Sequence, residues 1–281
     1  MKVLNYGSLN VDYVYSVDHI IVGGETQHSS KLEVFSGGKG LNQSIALAKA
    51  GVPVYHAGIV GNDGDILLDA CKEAGVNTKY IRRLPVKGGH TMIQVDKNAQ
   101  NCIILYGGTN QMQTKEFVDE VLADFGEGDY LILQNEINML DYIIDQAYEK
   151  KMKIVMNPSP FDDKLSTCDL SKVYLFLVNE IEGEQITGCK DKDQILDAMA
   201  AKFPNARFVL TLGSDGAVYY DGKEKVFQDI FKVKAVDTTA AGDTFTGYFF
   251  AQTAIGSNVE KALKIASIAS AVAVSRNGAS V

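Results

Sequence analysis

The sequence predicts an α/β protein: a central, mostly parallel sheet flanked by helices on both faces, with a small β-sheet lid. Two observations carry this. Short continuous apolar runs such as "YLILQ" (130–134), "YLFLVN" (174–179) and "RFVLTLG" (207–213) alternate with longer stretches of helical period. That is the signature of strands buried on both faces by crossover helices. Two other regions, 11–38 and 90–108, alternate apolar and polar residues without helical period, which suits a small antiparallel sheet inserted in the α/β body.

In chain order, "KVLNYGS" (2–8) reads as the first strand. "GGKGLNQSIALAKAG" (37–51) reads as a glycine-rich turn entering a helix, with Ile45, Ala46, Leu47 and Ala48 as its packing face and Gly51 as its stop. "VYHAGIVG" (54–61) is a strand, and "DILLDACKEAG" (65–75) a helix ending at Gly75. The stretch 90–108 forms a hairpin turning at "DKNAQ" (96–100). "YLILQ" leads into a helix over 138–151, and "KIVMNPSP" (153–160) is a strand closed by proline. After "YLFLVN" comes the short helix "EIEGEQITG" (180–188), and after "RFVLTLG" a hairpin, 217–228, turning at Asp221-Gly222. "AGDTFTGYFFAQTAIG" and "NVEKALKIASIASAVAVSR" close the chain as two helices. There are no repeats and no low-complexity linker, so 1–281 reads as one domain with lid segments 11–37 and 90–107 inserted. A sheet projecting from a scaffold suits a lid; the alternative is an edge extension with no function.

The 281 residues carry a net charge of −8, with 46% hydrophobic and 22% charged residues. This composition suits a soluble enzyme and argues against nucleic acid as a partner, which needs a basic face. It leaves room for a phosphorylated ligand held by a few local donors. Cys71, Cys102, Cys168 and Cys189 are widely spaced and read as free thiols of a reducing compartment. "MKVLNYGSLNVD" is no signal peptide, and no apolar run reaches the ~18 residues of a membrane span. A cytoplasmic protein with no membrane partner is expected.

The common nucleotide signatures fail. "YGSLN" offers one glycine where GxGxxG needs three, and Gly38-Lys39 is followed by Gly40 instead of the hydroxyl residue of a P-loop. HExxH and GxSxG are missing, and His19, His28, His56 and His90 show no ligand spacing. What remains is "AVDTTAAGDTFTG". Ala240, Ala241 and Gly242 sit where a helix begins, and the first amides of a helix have no partner inside it. Small residues let an anion approach that backbone, as charge on a transferring phosphoryl group requires. Asp243, beside the anion, would repel a phosphate as a ligand but suits a base for an attacking hydroxyl; the alternative is a first-turn acid that only supports its helix. Asn10 and Asp12 in "GSLNVDY" share a strand face and suit vicinal hydroxyls, or else form a solvated edge. In "SGGKGLNQS", Gly38 allows close approach, while Lys39 and Asn42 point outward from the helix start; a hydroxyl-rich ligand or a merely flexible helix entry both fit. Asn179 and Glu182 follow a strand end, where an acid can order Mg²⁺ through water. Glu180 and Glu184 read as solvated helix charges.

Six segments in order, "GSLNVDY", "GGKGLNQS", "LILQNE", "NEIEGEQITG", "LTLGSDG" and "AVDTTAAGDTFTG", resemble those of the PfkB/ribokinase-type carbohydrate kinases over essentially the whole chain. The resemblance implies ATP-dependent phosphorylation of the primary hydroxyl of a small sugar, ribose first, with Mg²⁺. Another sugar or a nucleoside is the alternative acceptor, and a non-catalytic sugar-binding protein is the rival class. It implies Asp243 as base and the backbone of Ala240, Ala241, Gly242 and Asp243 as anion hole. It assigns Asn10, Asp12, Gly38, Lys39, Asn42, Glu136 and, from the lid, Ile103 to the sugar. Asn179, Thr211, Gly213 and Ser267 go to the nucleotide, with "IASIASAVAVSRNGAS" lending part of the adenine pocket; Glu182 goes to Mg²⁺ through water, and Asp237 and Thr239 to a monovalent cation such as K⁺. Lid strands such as "SSKLEVFSG" (29–37) would expose a sheet face and edge that a partner lid could cover, and the resemblance also suggests a homodimer through the lids. The chain departs from the family at "RNGASV", where a proline-containing tail is usual, which bears on the cation site, and at Ser267, where a larger polar residue is common.

Overall fold

A computed structural model describes residues 1–98 and 100–276. The elements are β1 (Val3–Tyr6), β2 (Asn10–Ser16), β3 (Lys31–Gly37), α1 (Lys39–Lys49), β4 (Val54–Val60), α2 (Asp65–Ala74), β5 (Asn77–Arg83), β6 (Gly89–Val95), β7 (Asn101–Tyr106), α3 (Lys115–Leu122), β8 (Tyr130–Gln134), α4 (Leu140–Glu149), β9 (Lys153–Asn157), β10 (Val173–Asn179), α5 (Glu180–Thr187), α6 (Lys192–Lys202), β11 (Arg207–Thr211), β12 (Ala217–Tyr220), β13 (Lys225–Gln228), α7 (Ala241–Ala254) and α8 (Val259–Val274). Nine strands form one sheet in the order β13-β12-β11-β10-β9-β8-β1-β4-β5, parallel except for the hairpin β12–β13 at one edge.

Strand alternation builds two cores. Leu4, Leu131, Leu133, Ile154, Met156, Phe176 and Phe208 face α3, α4, α5 and α6. Their strand neighbours Val3, Ile132, Val155, Leu175 and Val209 face α1, α2, α7 and α8. Each such side chain, moved fully out of water, contributes about 1.5–3 kcal/mol. The apolar runs are continuous because both faces are covered, as the sequence pattern predicts.

β1 lies between β4 and β8, so the chain first builds outward on one side, to β4 and β5, and then returns to β1's other side. The strand order reverses there, and β1, β8, β9, β10 and β11 present their carboxyl ends along one edge of the sheet, the edge where open α/β sheets bind ligands.

The segments expected to form a small antiparallel sheet do form a separate four-stranded sheet, β3-β2-β6-β7, but it is mixed. β2 pairs antiparallel with β3, β6 pairs antiparallel with β7, and the central pair β2–β6 is parallel from Asn10↔Gly89 to Ser16↔Val95. Two hairpin-type excursions that leave the body in the same direction put their outgoing strands side by side. No helix among the described residues is long and apolar enough to cross a membrane.

Candidate active site

A cleft of about 240 Å³ opens on the carboxyl edge of the large sheet. Its wall includes Lys39 of α1, Asn157 of β9, Asn179 and Glu182 at the β10–α5 junction, Thr211 of β11, and the turn Ala240, Ala241, Gly242, Asp243. Four of the six segments singled out in the sequence therefore meet in one place.

The turn is built as a helix entrance. Ala240 adopts a left-handed φ of 56°, and the first helical bond runs from the Thr244 amide to the Ala240 carbonyl at 2.8 Å. The Ala241 amide is drawn to the Thr238 carbonyl at 3.3 Å, so the expectation of an anion hole spanning Ala240 to Asp243 narrows. The amides of Gly242 and Asp243, like that of Ala240 just before the helix, have no protein acceptor among the described residues, and the two inside the first turn are the open donors of the helix start.

Asp243 is buried, with one carboxylate oxygen, Oδ1, accepting Gln43 Nε2 at 2.9 Å and the other accepting Asn42 Nδ2 at 3.2 Å. Consecutive residues of α1 reach one carboxylate because α1 and α7 approach closely at Gly247, where a Cβ would fall inside the Ala46 methyl. This corrects the outward direction expected for Asn42: it is buried against α7. Lys39 lines the cleft. Burial works against its charge, but the carboxylates of Asp243, Glu136 and Glu182 together hold its pKa above the ordinary lysine value.

On the other side of α1, Asn10 and Asp12 both project from β2. Asn10 is buried and its Oδ1 accepts Asn110 Nδ2 at 2.7 Å, while Asn110 Oδ1 accepts the Leu9 amide at 3.0 Å. Asp12 accepts the Thr91 hydroxyl at 2.6 Å; burial pushes its carboxyl up and that hydrogen bond opposes the shift. Gly38, at φ 94°, turns the chain so that the Lys39 amide donates to Glu136 Oε2 at 3.0 Å, and Ser8 Oγ donates to the same oxygen. Burial raises the Glu136 carboxyl, with the Lys39 charge opposing. Ile103, on β7, is 54% exposed.

Asn179 and Glu182 form a reciprocal capping box: Asn179 Oδ1 accepts the Glu182 amide at 2.9 Å and Glu182 Oε2 accepts the Asn179 amide at 3.0 Å. Both residues thus have a structural role as well as a place in the cleft wall. Gly213 lies two residues past Thr211 with φ 53°, and Ser267 is buried on α8; neither lines the cleft. Other residues of that helix, with Thr244 and Tyr248, line a second, apolar cleft of about 270 Å³ between α7 and α8. The part of the expected adenine pocket at 277–280 lies outside the described residues. Asp237 Oδ1 accepts the Thr239 amide at 2.8 Å on the loop before the turn. No cluster of three or more His, Cys, Asp or Glu among the described residues is placed to hold a metal.

Sequence reasoning missed Gln43, Asn110, Thr91 and Asn157. Gln43 had a signal: it is a polar residue in the packing half of a helix, next to Asn42. Asn110 and Thr91 had none, since their partners are distant in sequence.

The family described as pfkB family carbohydrate kinase matches residues 1–281. A ribokinase of Haemophilus influenzae is 32% identical over 286 residues, 97% of this chain and 92% of that protein. Among solved structures, ribokinase from Cryptococcus neoformans var. grubii in complex with ADP superposes with a TM-score of 0.85 at 30% identity, over 99% of this chain and 95% of the other. Arabidopsis thaliana ribokinase complexed with ribose and ATP does so with a TM-score of 0.85 at 26% identity, over 99% and 93%.

Proposed function

The chain belongs to the pfkB family of carbohydrate kinases, an ATP-dependent sugar kinase by that membership, and from this we propose that it converts ribose to ribose 5-phosphate. The observation that carries the reading is the meeting of Asp243 with the open amides of Gly242 and Asp243 in a cleft that Lys39 also lines. A carboxylate held by amide donors on both oxygens is poised to take a proton. Two free amides and a lysine charge answer the negative charge of a phosphoryl group in transit. The primary hydroxyl oxygen bonds to the γ-phosphorus as the bond to the bridging oxygen of ADP breaks, and the hydroxyl proton passes to Asp243. Catalysis of this kind is mostly positioning and charge stabilisation.

The sugar lies against Asn10, Asp12, Gly38, Lys39, Asn42 and Glu136, with Ile103 packing on it from the small sheet, which we read as a lid over a single domain of residues 1–281. Asn179, Thr211 and Gly213 serve the nucleotide. Ser267, buried on α8, would act on it only through its helix. Mg²⁺ fits at Glu182, which lines the cleft: each carboxylate oxygen accepts one hydrogen bond from Asn179, which leaves each a lone pair for a water on the ion. When bound it supplies charge neutralisation at the phosphates. A carboxylate and a hydroxyl on one loop, Asp237 and Thr239, suit a monovalent cation such as K⁺. Four unpaired thiols and the use of ATP suit the cytoplasm. The exposed Ile103, Ile104, Leu105 and Tyr106 of β7 suit a twofold contact between lids.

Phosphorylation of an acceptor panel by ATP tests the reading: ribose is expected to give the highest kcat/KM. A nucleoside or hexose preferred by tenfold or more would replace ribose as the acceptor, and no turnover with any acceptor despite sugar binding would leave a sugar-binding protein.

A further inference from the structure

Between the large sheet and α1 runs a line of polar side chains that no step of the reaction uses. Asn5 of β1, His56 of β4 and Gln134 of β8 point toward α1, although their neighbours on the same strand face, Val3, Val54 and Ile132, are apolar core. Asn5 stands opposite His56 in the β1–β4 register. These three, with Gln43 and Ser44 of α1, are each 0% exposed, so no solvent can stand in for a lost partner.

The hydrogen bonds along this line have one direction. The Gly40 carbonyl can only accept, so it holds Asn5 with Nδ2 toward α1, at 2.8 Å, where Nδ2 also meets Ser44 Oγ at 2.9 Å. Asn5 Oδ1 therefore faces Gln134, which donates Nε2 to it at 3.0 Å. The same Nε2 donates to Gln43 Oε1 at 2.6 Å. Gln43 is left presenting Nε2, its donor, to Asp243 Oδ1 at 2.9 Å. Reversing any one amide would set oxygen against oxygen. Ser44 Oγ pairs with His56 Nδ1 at 2.8 Å, and burial keeps His56 uncharged, with its pKa lowered to about 4. Gln134 Oε1 has no hydrogen-bond partner among the described residues. A buried orphan of this kind destabilises the fold, which an apolar residue would not do, so stability alone does not explain the amide.

We propose that Gln43 is a positioning residue for Asp243, and that Gln134 and Asn5 act through it by fixing which way its amide faces. The Gly40 carbonyl thus decides, through three side chains, that the base is met by a donor. The assignment rests on the reading of Asp243 as the proton acceptor.

The test uses the full chain and whichever acceptor the unaltered enzyme phosphorylates, with kcat, KM, sugar affinity by calorimetry and Tm measured for Gln43→Met, Gln134→Met and the double variant. Loss of one preorganised donor to a reacting group costs on the order of 10²-fold in kcat, and that is the fall expected for Gln43→Met; Gln134→Met should lose about tenfold, because its effect is indirect. Sugar affinity should stay within about twofold. The double variant should be no slower than Gln43→Met alone, since Gln134 reaches the base only through Gln43. A folded Gln43→Met with kcat within about threefold of the unaltered chain, or single losses that multiply in the double, overturns the proposal. Side-chain amide NMR of the unaltered chain and of Asp243→Asn gives a readout independent of turnover and of those variants folding. A buried glutamine NH₂ resonance that shifts in Asp243→Asn supports the link, and the absence of any such shift rejects it. No turnover by the unaltered chain with any acceptor would reject the functional reading instead, and the NMR result would still decide the link.

Discussion

The carboxyl edge of the large sheet and the outer part of the small sheet are built in opposite ways. At the edge, side chains hold one another: Asp243 by Asn42 and Gln43, Glu136 by Ser8 and the Lys39 amide, Asn179 and Glu182 by their reciprocal cap. On β7 every residue is exposed, and Ile103 and Ile104 have more than half of their surface in water. The side chains of the edge are held by protein partners, whereas the small sheet leaves apolar surface exposed. On the function proposed above, chemistry that needs sub-ångström placement would belong to the first and coverage that opens and closes to the second.

Asp243→Asn should show the contrast most strongly. Loss of a general base costs up to about 10⁴-fold in turnover, and sugar affinity should hardly change; near-normal turnover measured in a coupled assay would remove the base from the edge. Acid should strain the layer between the large sheet and α1 that backs the edge. With its pKa lowered to about 4 by burial, His56 stays neutral in the fold while the unfolded chain gains a proton below about 6.5. Stability is therefore lost as pH falls from about 6.5 toward 4, by on the order of 3 kcal/mol, and His56→Gln should flatten that part of a denaturation profile. Gly247→Ala comes next. A methyl there forces α1 from α7, for about 1–3 kcal/mol of stability, and kcat should fall with it because both amides on Asp243 come from α1. Ile103→Ala should be mildest: a few-fold rise in sugar KM with Tm nearly unchanged, since an exposed side chain contributes little to the fold. If Ile103→Ala lowered Tm as far as Gly247→Ala, the two regions would not differ as described.

The sequence revealed unequal amounts of the two regions. Strands buried on both faces, such as β8 and β10, were legible from continuous apolar runs, and the helices α2 and α5 from glycines that end them left-handed at 75 and 188. The helices α3 and α6 and the strand β5 were passed over. β5 buries only Tyr80, as an edge strand does, so its pattern is faint. In the small sheet the strands were visible but the parallel pairing of β2 with β6 was not, because direction is set by where both strands leave the body. At the site, the turn before α7 declared itself through small residues at a helix start. The outward direction expected for Asn42 failed because the contact between α1 and α7 depends on Gly247, some 200 residues away. The relay through Asn5 and Gln134 is hidden for a related reason: each looks like an isolated polar residue in a strand until two strands and a helix are brought together.

The place of β1 between β4 and β8 has a consequence for the chain as it leaves the ribosome. One flank of Val3–Tyr6 is covered once residues 54–60 are made, while the other must wait for residues 130–134. At about 5–20 residues per second, that second edge stays open for roughly 4–14 s. A nascent chain with an apolar central strand unpaired for that long is a natural client for chaperones, and its yield on expression should respond to their supply more than its finished stability would suggest.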